Sequence, residues 1–217
     1  MVAAERQLLM GLGLRCPTCM TAQFYNHPLQ NADLIFVLAG REYRKRFGLD
    51  LFNQELAPRI LLSVARFEIR RFSKLSLPVP VDLLDLASNV PPPQRHFFVL
   101  FERQQVQVEH VRPGRLGTLT EIQALAHWLA DHPEIHSLLI VSSEGHLRRI
   151  TLCCQYLLDS RVTVELIASP NTDSGKRESK TPIAVLVELL KVLFYRALLG
   201  LRLNRCWGTS KHRRRKL

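Results

Sequence analysis

A short apolar run constrains the fold most, because it ends in residues that can open a helix and bind an anion. Residues 138–141 (LLIV) suit a buried strand covered on both faces. Ser142 or Ser143 then offers a hydroxyl to the free N–H groups of the next helix, and such helix starts attract anions. His146 in the first turn and Arg149 one turn later are predicted to hold a phosphate or carboxylate together. A capped surface helix with ordinary charges is the structural alternative.

The first part of the chain predicts a strand–helix–strand unit. Residues 32–39 form an apolar, β-rich run that ends at Gly40, where the backbone can turn tightly and approach a ligand. The stretch 41–57 has apolar residues at near-helical spacing, and Pro58 ends it before a second apolar run at 59–64. Because crossovers between parallel strands are right-handed, the helix is predicted on one face of a parallel sheet.

Further elements are predicted between residues 73 and 167. Prolines interrupt the pattern at 73–96 around a short candidate helix at 81–87, which we interpret as an excursion from the core sheet. Strand patterns at 96–101 and 105–111 predict a hairpin. Thr118 with Glu121 three positions later predicts a capping box at the start of a helix. The remaining predicted elements are the strand at 138–141, a helix at 145–158 and a strand at 162–167.

These elements predict an α/β fold with a Rossmann-like, mostly parallel sheet and helices on both faces. Ligands of such sheets collect outside the carboxyl ends of the strands. That edge is expected to gather the candidate site residues, which are Gly40, Arg41, Arg44, Ser63, Thr118, Glu121, Ser142, Ser143, His146 and Arg149.

The candidate residues have chemically distinct roles in this hypothesis. Arg44 and Arg149 neutralise an anionic ligand, while backbone amides of the turns after Gly40 and Ser143, together with the nearby hydroxyls, donate hydrogen bonds to it. His146 is the candidate general acid or base of a phosphoester hydrolase or transferase, with Glu121 as its candidate orienting partner.

Charge points to partners that carry phosphate. Lys and Arg number 30 against 19 Asp and Glu, which gives a net charge of +11. Such a balance favours nucleic acid, anionic lipid headgroups or nucleotide-like small molecules. Nucleic acid is disfavoured, because aromatic content is 7% and no base-stacking motif is recognised.

Five cysteines, an odd number, favour reduced thiols and a cytoplasmic location. Cys16 and Cys19 form a Cys-x-x-Cys pair, but a structural zinc needs four ligands and no second pair follows at suitable spacing, so no metal is predicted. The apolar run near the start is short and Arg15 interrupts it, so a secretion signal is not predicted.

The stretch 181–203 is predicted to form a strongly apolar helix, and residues 211–216 form a basic tail. A helical wheel places Glu188, Lys191, Tyr195 and Arg202 on one side and leaves a broad apolar face that includes Phe194. A membrane span is disfavoured by the internal charges. Docking on the domain is preferred, and binding to an anionic membrane surface is the second interpretation.

The order of the motifs resembles the YdcF/SanA/ElyC-like bacterial domain family. The resemblance rests on residues 32–40, on the arginine-led helix and second strand at 44–63, on Thr118 to Glu121, and on the strand leading into His-x-x-Arg at 140–149. It covers roughly residues 32 to 167. It implies a Rossmann-like fold, a role in cell-envelope precursor metabolism, and S-adenosylmethionine as a candidate cofactor.

The expected organisation has three segments: an N-terminal extension at 1–31, an α/β domain at 32–170 with a Pro-rich insertion at 73–96, and a polar loop, amphipathic helix and basic tail at 171–217. The preferred functional hypothesis is binding of a phosphate-bearing or nucleotide-like anion at the carboxyl edge of the sheet. The alternative is a non-enzymatic membrane-surface or scaffold protein, located in the cytoplasm and peripheral at the inner membrane, that uses residues 181–217.

Overall fold

A six-stranded mixed sheet with helices on both faces organises the computed structural model, which describes residues 31–112, 117–170, 187 and 190–199. In chain order the elements are β1 (Leu34–Val37), α1 (Glu42–Asn53), β2 (Arg59–Ala65), α2 (Ile69–Phe72), α3 (Leu83–Ser88), β3 (His96–Glu102), β4 (Gln105–His110), α4 (Gly117–Asp131), β5 (Ser137–Ser142), α5 (Leu147–Leu157) and β6 (Thr163–Ala168). Short 3₁₀ turns lie at Pro92–Gln94 and Glu144–His146, and residues 190–199 form a further helix, called the C-terminal helix below.

The strand order β4-β3-β2-β1-β5-β6 places β1 at a topological switch point. Strands β2, β1, β5 and β6 are parallel, whereas β3 and β4 form an antiparallel hairpin on β2. After β1 the chain builds the sheet on one side as far as β4 and then returns to β1's other side with β5. Open α/β sheets bind ligands at such a switch point, so the region between the carboxyl ends of β1 and β5, called the crevice below, is the expected ligand position.

Side chains alternate between two cores, one on each face of the sheet. On β1, Leu34 and Phe36 face the core covered by α4, α5 and the C-terminal helix, which we call the first core. Ile35 and Val37 face the second core, which α1, α2 and α3 cover. All four residues of β1 are buried, although successive side chains point to opposite faces of the sheet. Burial on both faces therefore explains the continuous apolar pattern of this strand.

The structure confirms the α/β class, the mostly parallel sheet and the predicted hairpin. The Pro-rich insertion is less separate from the core than expected, because Leu75, Leu83 and Ala87 are buried in the second core. The predicted helix at 145–158 is a 3₁₀ turn at Glu144–His146 followed by α5. The structure does not describe residues 1–30, 113–116, 171–186, 188–189 and 200–217. Cys16, Cys19 and the basic tail therefore lie outside the described residues.

The C-terminal helix contacts the first core through the side on which the helical wheel groups Tyr195 with charged residues. Tyr195 and Leu199 are buried among residues of α4 and α5, whereas Leu190, Leu193 and Phe194 are exposed. In this segment the buried side chains are therefore not those of the broad apolar face. In the described part of the chain, no helix has the length and hydropathy needed to cross a membrane.

Candidate functional site

One guanidinium joins the two turns that the sequence places at the carboxyl edge. Arg44 Nη1 donates to the carbonyl oxygen of Ala39 at 2.8 Å, immediately after β1. Arg44 Nη2 donates to Ser143 Oγ at 2.8 Å and lies 3.4 Å from His146 Nδ1, immediately after β5. The segments near Gly40 and His146 therefore converge at the switch point, although 99 residues separate Arg44 from Ser143.

Gly40 is required at this point of the first turn. Its φ is +145°, a conformation that side chains rarely adopt, and a Cβ built on it would lie 2.5 Å from Arg44 Nη1. The absence of a side chain thus lets the guanidinium pass close to the backbone. This close approach explains why a glycine ends the first apolar run.

A buried polar network lies beneath the turns, at the end of the first core. Glu121 Oε1 accepts hydrogen bonds from Ala39 N at 2.8 Å and from Ser63 Oγ at 2.6 Å. Ser63 Oγ also lies 2.7 Å from His96 Nε2. Since the serine hydroxyl has one proton and gives it to Glu121, the imidazole donates its Nε2 proton to Ser63. Three elements, α4, β2 and β3, are linked in this way.

Burial shifts both titratable groups of this network towards their neutral forms. It raises the pKa of Glu121 from 4.5 to about 7, against the lowering effect of the hydrogen bonds from Ser63 and Ala39. It lowers the pKa of His96 from 6.5 to about 4. Near neutral pH the imidazole is uncharged and the carboxyl group is poised between its two forms.

A second buried pair occupies the other side of the first turn. Lys45 Nζ lies 2.9 Å from Glu68 Oε1, and Lys45 is almost fully buried. Glu68 also accepts from Ala65 N at 2.9 Å and from the backbone N–H of Gly40. The Gly40 amide is thus already bound to a carboxylate of the protein. Burial lowers the pKa of Lys45, while the charge of Glu68 raises it.

Arg149 and Thr118 lie against the C-terminal helix. Arg149 is buried, with its guanidinium carbon 6.0 Å from the centre of the Tyr195 ring. Burial raises the pKa of Tyr195, and the charge of Arg149 and hydrogen bonds with the Leu119 backbone and Thr118 lower it. These two candidate ligand residues are therefore covered by a helix that the sequence analysis did not place there.

Both predicted helix caps are corrected. The helix α4 begins at Gly117, so Thr118 lies inside it, and the Glu121 carboxylate binds Ala39 and Ser63 in place of closing a capping box. Ser143 does stand at the N-cap of the 3₁₀ turn, but its hydroxyl accepts from Arg44. In both cases the side chain that was predicted to cap a helix forms its hydrogen bonds with residues far away in the sequence.

The other candidates differ in exposure. Arg41 and Gly40 are exposed, and Ser143 and His146 are partly exposed. Ser142 and Ser63 are fully buried. Within the described residues, Ser142 Oγ and Arg44 Nε are buried at this edge without a hydrogen-bond partner. The pairing of Glu121 with His146 stays a prediction, since the contacts established for Glu121 are with Ala39, Ser63 and His96.

Several residues of this edge were missed by sequence analysis. His96 could have been found from strand parity, because it alternates with Phe98 on the first-core face of β3. Lys45 and Glu68 give no local signal that they pair. Phe67 is 77% exposed beside Glu68, and the Arg66 guanidinium lies 4.3 Å from its ring centre. A lone phenylalanine in a loop cannot be told from a core residue by its sequence neighbours.

Burial keeps the thiols of Cys153 and Cys154 protonated. Cys153 and Cys154 are both free and buried in the first core. Burial raises the pKa of Cys153 to about 12 and that of Cys154 further still. No group of three His, Cys, Asp or Glu side chains within the described ranges is arranged to hold a metal ion.

Comparison with known proteins found no match among protein families, curated proteins or solved structures. The case for function therefore depends on the geometry of the chain itself.

Proposed function

We propose that this protein binds a phosphate-bearing, nucleotide-like anion in the crevice between the turn at Gly40 and the turn at Ser143–His146. The observation that carries the proposal is the convergence of both turns on Arg44 at the switch point of the sheet. Ligands of open α/β sheets bind at this position because helix N-termini and loops from both sides meet there.

Positive charge at the crevice supports an anion. Arg44 lies just behind the turns, and Arg41 is exposed in front of α1. Burial lowers the pKa of Lys45, the carboxylates of Glu68 and Glu121 raise it, and the nearby Arg44 lowers it. A pKa of about 7 leaves Glu121 partly protonated at neutral pH. The cluster then carries a fractional positive charge, which an incoming phosphate would neutralise.

The exposed ring of Phe67 supports a ligand with a flat, nucleoside-like part. Phe67 lies in the loop after β2, one residue before Glu68, whose carboxylate holds the Gly40 turn. An aromatic face with a guanidinium on it is the kind of surface on which bases stack. Such a ligand would place its phosphate near Gly40 and His146 and its ring near Phe67.

For reaction chemistry, His146 is the best-placed group. Its imidazole is partly exposed at the crevice, and the Arg44 guanidinium lies 3.4 Å from its Nδ1. In a phosphoester hydrolysis or transfer, the imidazole would accept a proton from the attacking hydroxyl and return it to the leaving oxygen. Arg44 would stabilise the charge on the phosphoryl oxygens.

We further propose that the fold is Rossmann-like in detail and that the chain is a YdcF/SanA/ElyC-like domain acting in cell-envelope precursor metabolism. Support comes from the four parallel strands with their switch point and from the position of the His-x-x-Arg segment directly after β5. S-adenosylmethionine is kept as a candidate cofactor because the family resemblance implies it; it has a nucleoside part but no phosphate.

Isothermal titration with inorganic phosphate, AMP and S-adenosylmethionine tests the binding proposal. We expect AMP to bind, and His146→Ala to weaken its binding about tenfold or more, as loss of one hydrogen bond to a charged group would. The matched control is His136→Ala, an exposed histidine just before the other end of β5, which should bind as wild type does. Equal binding by wild type and His146→Ala would remove this residue from the site.

A further inference from the structure

The C-terminal helix presents two chemically different apolar faces. Its inner face, Tyr195 and Leu199, is buried in the first core. Its outer face consists of Leu190, Leu193 and Phe194, which are 57%, 61% and 53% exposed. Large apolar side chains clustered in this way on a surface mark a binding site for a protein or a membrane.

Val187 adds a further apolar side chain to the outer face. Val187, which is also helical and exposed, precedes Leu190 and Phe194 at helical spacing. At about 100° per residue these side chains and Leu193 fall within one arc of roughly 120°. Within the description, this arc contains only apolar residues, since the remaining member is Ala197.

Cations border this arc on both sides. The same wheel places Lys191 at one border and Arg196 at the other, and both are exposed. An apolar arc with a basic residue at each border is the pattern of a helix that lies in the interface plane of a bilayer, with its apolar side chains in the acyl boundary and its cations at the headgroups.

The sequence that follows the helix reinforces the charge. Residues 200–217 include seven Lys or Arg (Arg202, Arg205, Lys211, Arg213, Arg214, Arg215 and Lys216) and no Asp or Glu. The same stretch contains Trp207, a residue type that is enriched at membrane interfaces. Clustered cations next to an amphipathic helix attract anionic lipids.

We propose that the outer face of the C-terminal helix binds the surface of an anionic lipid bilayer. A second copy of the chain fits this face less well, because each copy would bring the same cations, Lys191 and Arg196, to the interface. Nucleic acid fits less well, because the centre of the face is apolar and offers no polar group for phosphate.

Membrane binding would orient the whole domain. Tyr195, on the inner face of the same helix, contacts Arg149 in α5 and Thr118 in α4. The surface formed by α4 and α5 therefore turns towards the bilayer when the outer face is bound. This inference does not require the proposed ligand, since it depends on the outside of the helix alone.

Flotation of the full chain with vesicles tests the proposal. We expect binding to vesicles of phosphatidylcholine with about 30% phosphatidylglycerol and at least about tenfold weaker binding to phosphatidylcholine alone, because the cations need anionic headgroups. The outer-face variant Leu190→Gln, Leu193→Gln and Phe194→Gln should lose about tenfold or more in binding to the anionic vesicles.

The matched control is Leu84→Gln with Leu86→Gln, which changes two exposed leucines of α3 on the opposite face of the sheet. This control should bind vesicles as the wild type does, and both variants should keep the wild-type melting temperature. Equal vesicle binding by the outer-face variant overturns the proposal. The proposal is also overturned if the wild type does not bind anionic vesicles. Sedimentation of the wild type as a dimer that the outer-face variant dissociates would then assign this face to a second copy of the chain. AMP binding by the wild type and the outer-face variant is measured in parallel. If both bind AMP but neither binds vesicles, the membrane proposal fails and the proposed function does not.

Discussion

The two edges of the sheet hold the same kinds of charged residues in opposite surroundings. At the amino edge, Arg59 pairs with Glu102 at 3.0 Å and Glu134 at 2.9 Å, and all three side chains are partly in solvent. At the carboxyl edge, Lys45 and Glu68 form a buried pair. Exposed pairs contribute little to stability, whereas buried charges are costly unless every partner stays in place. The stability of the fold thus depends little on the charges at the amino edge. At the carboxyl edge the protein keeps buried charges that cost stability, as functional sites do.

Removing one member of the buried pair should have the largest effect. Glu68→Ala leaves the Lys45 ammonium without its partner, so we expect the free energy of unfolding to fall by about 3 to 5 kcal/mol. The matched change at the other edge, Glu102→Ala, should cost below about 1 kcal/mol. Urea denaturation measures both. Equal losses at the two edges would erase the contrast between them.

The loss in Glu68→Ala should also depend on pH. Burial lowers the pKa of Lys45, and removal of Glu68 takes away the largest effect that raises it. The amine can then be deprotonated in the folded state at high pH, so the loss at about pH 9 should be smaller than at about pH 6. A loss that is the same at both pH values would show that Lys45 keeps its charge without Glu68.

Glu121→Gln should change how stability depends on pH. The folded pKa of Glu121 is about 7, above its ordinary 4.5, so its contribution to stability is present below pH 4.5 and is lost as pH rises through 7. The variant lacks this loss and should gain up to about 3 kcal/mol relative to wild type between those values. Unfolding free energies measured at several pH values test this expectation.

His96→Gln is the opposite arm of the same experiment. The folded pKa of His96 is about 4, below 6.5, so wild type loses stability as pH falls from 6.5 to 4, and the variant does not. Relative to wild type, the free energy of unfolding should therefore increase with rising pH in Glu121→Gln and with falling pH in His96→Gln. Parallel curves for wild type and both variants would show that neither group is perturbed by burial.

The smallest expected effect compares the glycines of the two converging turns. Gly40→Ala combines a strained φ with a collision against Arg44, so we expect a loss of about 1 to 3 kcal/mol. Gly145→Ala meets no atom within 4 Å and should stay within about 0.5 kcal/mol of wild type. Thermal unfolding compares the two, and similar stabilities would mean that the Gly40 turn tolerates a side chain.

The sheet could be predicted from sequence because burial leaves a direct mark on it. The apolar runs within 34–37, 59–65 and 137–142 are strands because both of their faces are covered. The carboxyl-edge candidates Arg44 and Ser143 follow from strand ends, so the convergence of their turns was within reach of the sequence.

The buried network of Glu121, Ser63 and His96 could not be predicted from the sequence. Glu121 three residues after Thr118 fits a local capping rule, but its carboxylate is drawn to Ser63 and Ala39 by contacts across more than one element. The buried side of the C-terminal helix could not be predicted for a similar reason. A helical wheel ranks faces by hydrophobicity and cannot show that Tyr195 has a hydroxyl partner in Thr118 and a cation in Arg149.

The pairing of β1 with β5 has a consequence for how the chain is made. Strand β1 gains one neighbour, β2, soon after synthesis, but its other neighbour arrives about a hundred residues later, as the 104-residue separation of Asp33 and Ser137 shows. Until then the ribosome-bound chain exposes a bare, apolar strand edge. Such an edge invites pairing with other chains. The central strand therefore keeps one unpaired edge until β5 has been synthesised.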